Sequence, residues 1–296
     1  MRKLPLLLIA AAALVLVLSC TVFGWLRFAP VAVADGWRYS EVQGNLQRIV
    51  SLARMPDGSI VSTLSAKQRA GAPGMGRLIR LDIHAGHHEV LAEGLYKPAG
   101  LLPWEDGIVL TQEYPDQPVL LWKDGGLQSL MMLRKPESIT VTPQGRWLII
   151  EDSAGGRLLE VDPRDDFRQN VLFEGFVEGE GVCVGRDGRI FAVDRKRSDL
   201  LEYVDGEIRA IPAGLRGPGF LRCTAAGVWI TEDVSNNGRL WFYDYERFHL
   251  VASHLHAPQS VLEDGDDAVL VAEQGRSRLL RFMRQPTSRV GALRPS

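Results

Sequence analysis

Cysteine is scarce in this chain. The three present, Cys20, Cys183 and Cys223, are too few for a disulfide framework, and their spacing matches neither a zinc site nor a CxxC redox pair. A Cys183–Cys223 bridge is open to the chain, but we read these two as buried thiols. Charge of one sign is also lacking: the formal net charge is −2 and Lys and Arg are scattered, so nucleic acid is not an expected partner. No GxSxG nucleophile elbow, no Walker loop and no GxGxxG between strand and helix occurs, which removes the common serine-hydrolase and nucleotide-binding readings. Beyond the N-terminal region the helical period of 3.6 is missing as well.

What is present fits an ordinary folded protein that buries a substantial core, with 46% hydrophobic and 24% charged residues. Residues 1–34 stand apart as a signal or anchor segment, and 35–296 read as one domain. After Arg2 and Lys3, the run from Leu4 to Leu26 carries no charge; as a helix it reaches about 34 Å, enough to span a bilayer. The positive residues before it place the N-terminus inside and the bulk outside, on the periplasmic or extracytoplasmic side. An uncleaved anchor is the leading reading. Lipidation at Cys20, in Val17-Leu18-Ser19-Cys20, and cleavage after Ala32-Val33-Ala34 are the alternatives. All three export the domain.

From Asp35 onward one unit recurs: a Pro or small residue, a short apolar strand, a Gly-containing turn, a second strand ending in an acid, a polar loop and a third strand. The clearest copy runs from Pro136-Glu137-Ser138-Ile139 through Trp147-Leu148-Ile149-Ile150-Glu151 to Gly156-Arg157-Leu158-Leu159. The next runs from Glu180-Gly181-Val182-Cys183 to Asp194, and further copies are anchored at Asp57-Gly58, Asp106-Gly107, Ala226-Gly227 and Asp266-Asp267. The positions aligned with Glu151 are Leu64, Glu113, Asp194, Asp233 and Glu273, and Glu113 to Glu273 is 160 residues over four steps, a period of 40. Six such units without helical periodicity predict an all-β fold, a six-bladed β-propeller preceded by one hydrophobic anchor helix. Trp37–Val42 is the candidate strand that completes the last blade and removes an open sheet edge.

In a propeller blade the innermost strand starts at the face where ligands usually bind, and its partner ends there. Glu137 is then set near Glu151, and Glu180 near Asp194, at one mouth of the central channel, with Asp152 and Glu178 beside them. The repeating set is expected to be structural, accepting backbone N–H bonds. The innermost positions around the ring are Val50, Ala99, Glu137, Glu180, Gly219 and Gln259, and here the acids do not recur. Crowded carboxylates need compensation, which a hard divalent cation supplies through oxygen ligands. Glu137, Glu180 and Gln259 are therefore the candidate metal ligands, with Ca2+ or another divalent cation as cofactor. Salt bridges from Lys97, Arg134, Lys135, Arg195, Lys196 or Arg197 compete with it. His256, in His254-Leu255-His256, is a weaker candidate for the same mouth, and His84, His87 and His88 receive no role. The loop from Ser65 to Gly76 is expected to project over the mouth.

The copies Pro136-Glu137-Ser138-Ile139 to Glu151-Asp152-Ser153 and Pro258-Gln259-Ser260-Val261 to Ala272-Glu273-Gln274 resemble blades of the SMP-30/gluconolactonase/strictosidine-synthase-like propellers, over about residues 45 to 285. That resemblance implies a divalent ion at the channel mouth and hydrolysis of a lactone or ester, in some members with an N-terminal membrane anchor. The family's typical metal set is a Glu, an Asn and an Asp at the inner positions. This chain offers Glu137 and Glu180 but no Asn, and has Val50 where an acid is expected. The leading expectation is an exported, membrane-tethered, divalent-metal-dependent lactonase or arylesterase-type hydrolase acting on a small molecule, in which the ion polarises the carbonyl and a nearby carboxylate activates water. A non-catalytic propeller that binds ligand or scaffolds a cell-envelope protein complex is the alternative. A quinone-dependent sugar dehydrogenase is a third reading, for which no cofactor-binding residue is identified.

Overall fold

A computed structural model describes residues 3–67, 69 and 71–285, and within the N-terminal helix it describes the side chains of residues 12–22, 24 and 28. The helix runs Lys3–Phe28. Among the described residues no helix is long and apolar enough to cross a membrane; of the expected anchor, Leu4–Leu26, only the side chains of residues 12–22 and 24 are among those described.

Six antiparallel sheets follow, five of four strands and one of five, each in the order of a blade. Their innermost strands are Ile49–Arg54, Pro98–Trp104, Pro136–Val141, Gly179–Val184, Pro218–Thr224 and Pro258–Glu263. The second strands, among them Gly107–Gln112 and Trp147–Glu151, are buried along their whole length. The reason is packing on both sides. Trp147 and Ile149 face the second blade, while Leu148 and Ile150 face the fourth. Six such hydrophobic clusters fill the six interfaces between blades, which explains apolar runs where a one-faced sheet would alternate. The outermost strands are exposed, as in Gly126–Met132.

Ring closure is as expected. Trp37–Gln43 pairs antiparallel with Arg278–Arg284 and supplies the outer strand of blade six, leaving no open edge between the first and last blades. Upstream, Ala29 and Val31 are buried, and Ala32–Val33 adds to the outer strand of blade five, Phe248–Leu255.

One expectation is overturned. Cys183 and Cys223 are not separate thiols; they form a disulfide with Cα atoms 5.5 Å apart, within the range such a bond needs. Their separation of 40 residues equals the blade period. They lie on the innermost strands of blades four and five, Cys223 one residue past the position equivalent to Cys183, which is Arg222.

Candidate functional site

The innermost strands carry a bulge at the same place in all six blades. In blade three Pro136 pairs with Glu151 and Ile139 with Ile149, three steps against two; the same shift recurs in the other five. An extra residue re-aims side chains, and here the bulge lies where Glu137 and Glu180 meet the channel. These strands also pack closely around the axis: a Cβ on Gly100 would lie 2.8 Å from the Glu137 carbonyl, and one on Gly181 2.6 Å from that of Gly219. Thr111 holds the Glu137 backbone, accepting from the Gly100 N–H at 2.7 Å and donating to the Glu137 carbonyl at 2.7 Å.

A second device builds the rim. In every blade the residue before the innermost strand accepts a backbone hydrogen bond from the residue after the second strand. The pairs are Arg48 with Ser65, Lys97 with Glu113, Lys135 with Asp152, Glu178 with Arg195, Gly217 with Asp233 and Ala257 with Gln274. Five of the first-named residues, all but Glu178, have positive φ, a conformation unusual for a side chain other than glycine. Two stacked rings of side chains result, and in blades two to four each pair carries opposite charges.

These rings and the innermost positions enclose a cavity of about 280 Å³ at the channel mouth. Its lining includes Glu137, Glu180 and Gln259, so the three candidate ligands share one wall system. Asp152 and Glu178 lie there as expected. Glu151 and Asp194 do not: Glu151 is fully buried, accepting from the Arg134 N–H at 2.9 Å and pairing with Arg157 at 2.7 Å. Asp194 accepts from the Val177, Glu178 and Lys196 N–H groups. This is the structural role anticipated for the repeating acids.

The register in blades two and five needs correction. Pro98 pairs with Gln112 and Pro218 with Glu232, so the equivalents of Glu151 there are Gln112 and Glu232. Gln112 accepts from the Tyr96 N–H at 2.8 Å, and Glu232 from the Arg216 N–H at 2.9 Å. Glu113 and Asp233 instead line the mouth. Those two blades join their first strands by two-residue turns, Trp104 pairing with Gly107 and Thr224 with Gly227. Blade three uses a longer turn, Val141 pairing with Trp147, and the difference shifts the count by one.

Charge inside the cavity is unevenly answered. Arg195 lies 2.5 Å from Asp233, 3.3 Å from Glu180 and 3.9 Å from Glu178. Lys135 lies 2.6 Å from Asp152, and Lys97 pairs with Glu113. Burial raises the Glu180 carboxyl to about 8; Arg195 pulls it down, and Asp233, Asp152 and Glu113 push it up. Glu137 is 5% exposed, and its Oε2 has no hydrogen-bond partner. Burial raises its pKa well above the carboxylate range, helped by Glu113 and Glu180 and opposed by Lys97.

The oxygens suit a hard cation in type, and Glu137 Oε2 is buried without a hydrogen-bond partner. The arrangement does not otherwise fit. Glu180 Oε1 is shared with Arg195, Gln259 donates to the Ala257 carbonyl at 3.4 Å, and among the described residues no group of three His, Cys, Asp or Glu is placed to hold a metal. His256 is buried outside the cavity lining. The Ser65 to Gly76 loop begins at the mouth; its Gln68 and Ala70 lie outside the described residues.

No family model matches the chain, and no curated protein matches it in sequence. Solved structures do match in fold. A putative gluconolactonase superposes with a TM-score of 0.65 at 10% identity, covering 85% of this chain and 93% of that one. A gluconolactonase from Xanthomonas campestris gives 0.65 at 12% identity, covering 85% and 91%. An auxiliary nutrient binding protein from Bacteroides ovatus gives 0.66 at 10% identity, covering 85% and 77%. The chain thus has the six-bladed fold found in gluconolactonases and in nutrient-binding propellers.

Proposed function

We propose that the channel mouth is a hydrolytic site for a small lactone or ester, on a propeller exported and tethered by its N-terminal helix. The observation that carries it is Glu137: a buried carboxyl with one unpartnered oxygen, opening on a cavity beside a second carboxyl whose pKa lies near the working range. Perturbed titratable groups gathered in a concave site are what acid–base chemistry requires.

Glu137, whose protonated form burial favours, donates a hydrogen bond to the substrate carbonyl oxygen. Glu180 in its ionised form takes a proton from water as the water oxygen bonds to the carbonyl carbon. The carbon–oxygen bond of the ester then breaks, and the leaving oxygen recovers the proton from Glu180. Arg195, held by Asp233, supplies positive charge near the developing oxyanion. The gluconolactonase neighbours support this choice of reaction. The disulfide and the uncharged N-terminal run support export, since such bonds persist in oxidising compartments.

Hydrolysis of a panel of lactones and aryl esters tests the reading. Glu137→Gln and Glu180→Gln are each expected to lower turnover by ~100-fold or more, with activity rising through about pH 8 as Glu180 ionises. Because the ligand set is incomplete, EDTA followed by excess Ca2+ should leave both activity and the melting temperature unchanged; a clear rise with Ca2+ would restore the metal-dependent form. The nutrient-binding neighbour favours a second reading, a propeller that binds ligand without turnover. Ligand-induced stabilisation with no product would select it.

A further inference from the structure

The two faces of the ring carry opposite exposed charge. On the mouth face, the loops entering the innermost strands and leaving the second strands expose Lys67, Arg69, Arg134, Lys196, Arg197 and Arg216. Asp116 is the exposed acid among the described residues of those loops; Glu113, Asp152, Glu178 and Asp233 are drawn into the cavity and its ion pairs. In the hairpin turns of the opposite face each blade turns out an acid, Asp57, Asp106, Asp165, Asp187, Glu246 and Asp267, with Asp82, Asp124, Asp205 and Asp266 beside them; these outnumber the exposed arginines of that face, Arg164, Arg186 and Arg247 in the turns and Arg54, Arg168, Arg222 and Arg284 at the adjoining strand ends. A net charge of −2 conceals this polarity.

The N-terminal helix joins the ring at the mouth face, without a linker. Phe28, its last residue, is 83% exposed, and Ala29 is 3% exposed. The Ala29 carbonyl accepts a hydrogen bond from Arg276 Nη2 at 2.6 Å, and the Pro30 carbonyl lies 3.3 Å from His254 Nδ1. Arg276 follows the second strand of blade six, and His254 is at the mouth end of the outer strand of blade five. Exposed Met75, Met132 and Val177 border the same face.

We propose that the mouth face lies against the anionic surface of the bilayer that holds the N-terminal helix, so that the channel opens toward the lipid headgroups. This rests on the tethered reading above. Charge attraction fades over about 10 Å at 0.1 M salt, so rim cations act on a membrane only if that face is held close. A helix that ends where the ring begins holds it there. Basic residues near an anionic leaflet are attracted, while the acids of the far face are repelled, and both effects favour the same orientation. A substrate then reaches the cavity along the membrane interface, as an amphiphilic ester or lactone would.

The full chain, with Cys20→Ser and a single fluorophore at Ala154→Cys on the mouth face or at Asp205→Cys on the far face, is reconstituted into phosphatidylcholine vesicles containing phosphatidylglycerol. Flotation with the vesicles in molar salt reports the tether, and energy transfer to a headgroup acceptor reports the orientation. Transfer is expected to be several-fold greater from Ala154→Cys. It should fall in molar salt and in a Lys67→Glu, Lys196→Glu, Arg197→Glu variant. A chain that does not float overturns tether and docking together. One that floats but transfers equally from both positions, or whose transfer ignores salt and charge reversal, overturns the docking alone.

Discussion

The carboxyl of Glu180 lies among Arg195, Asp233, Asp152 and Glu113, and burial outweighs the arginine, which is engaged first by Asp233. Its value rises from 4.5 to about 8 on folding. Between those limits the folded protein keeps a proton that the unfolded chain has lost, so stability falls as pH rises through this window and levels off above it. Glu137 acts in the same direction. Glu180→Gln should therefore flatten the pH dependence of the urea midpoint between about pH 5 and pH 8 and raise stability at the upper end; an unchanged slope would show that Glu180 titrates normally. The sequence marks both residues as acids that break the repeat. It does not show that Arg195 spans Glu180 of its own blade and Asp233 of the next, or that Glu137 Oε2 is left without a hydrogen-bond partner, because the packing of neighbouring blades decides both.

At the scale of elements, the repeating acids explain the arginine near the start of the third strands of blades three, five and six. Glu151 pairs with Arg157, Glu232 with Arg239 and Glu273 with Arg278, and each acid also accepts a backbone N–H from the chain entering its blade. Removing one partner of a buried pair leaves an uncompensated charge, so Glu151→Ala is expected to cost about 3 kcal/mol in urea unfolding. Lys123→Ala, which breaks an exposed pair with Asp106, should leave the urea midpoint nearly unchanged. Strand positions and the structural role of the acids were legible from spacing. The register of blades two and five was not, since Gln112-Glu113 and Glu232-Asp233 each offer two adjacent polar residues and only the hairpin length decides which one turns inward.

Across the whole molecule, two links of different kinds hold the ring, one that closes it and one that ties neighbouring blades. Trp37–Gln43 completes blade six by hydrogen bonding, and Cys183–Cys223 clasps blades four and five. A loop of this length predicts a stabilisation of about 4 kcal/mol, so reduction, or Cys183→Ala with Cys223→Ala, should lower the denaturation midpoint accordingly; no change would remove the clasp as a stabilising element. The six-fold repeat, the closing strand, the innermost ring positions and the uncharged N-terminal run all follow from local pattern, because strand period and turn chemistry act between near neighbours in the chain. The disulfide, the two rim rings, the unpartnered oxygen of Glu137 and the opposed charge of the two faces arise between residues that sequence holds tens of positions apart. Closing the ring brings them together, and burial then sets which charges are paired and which remain open.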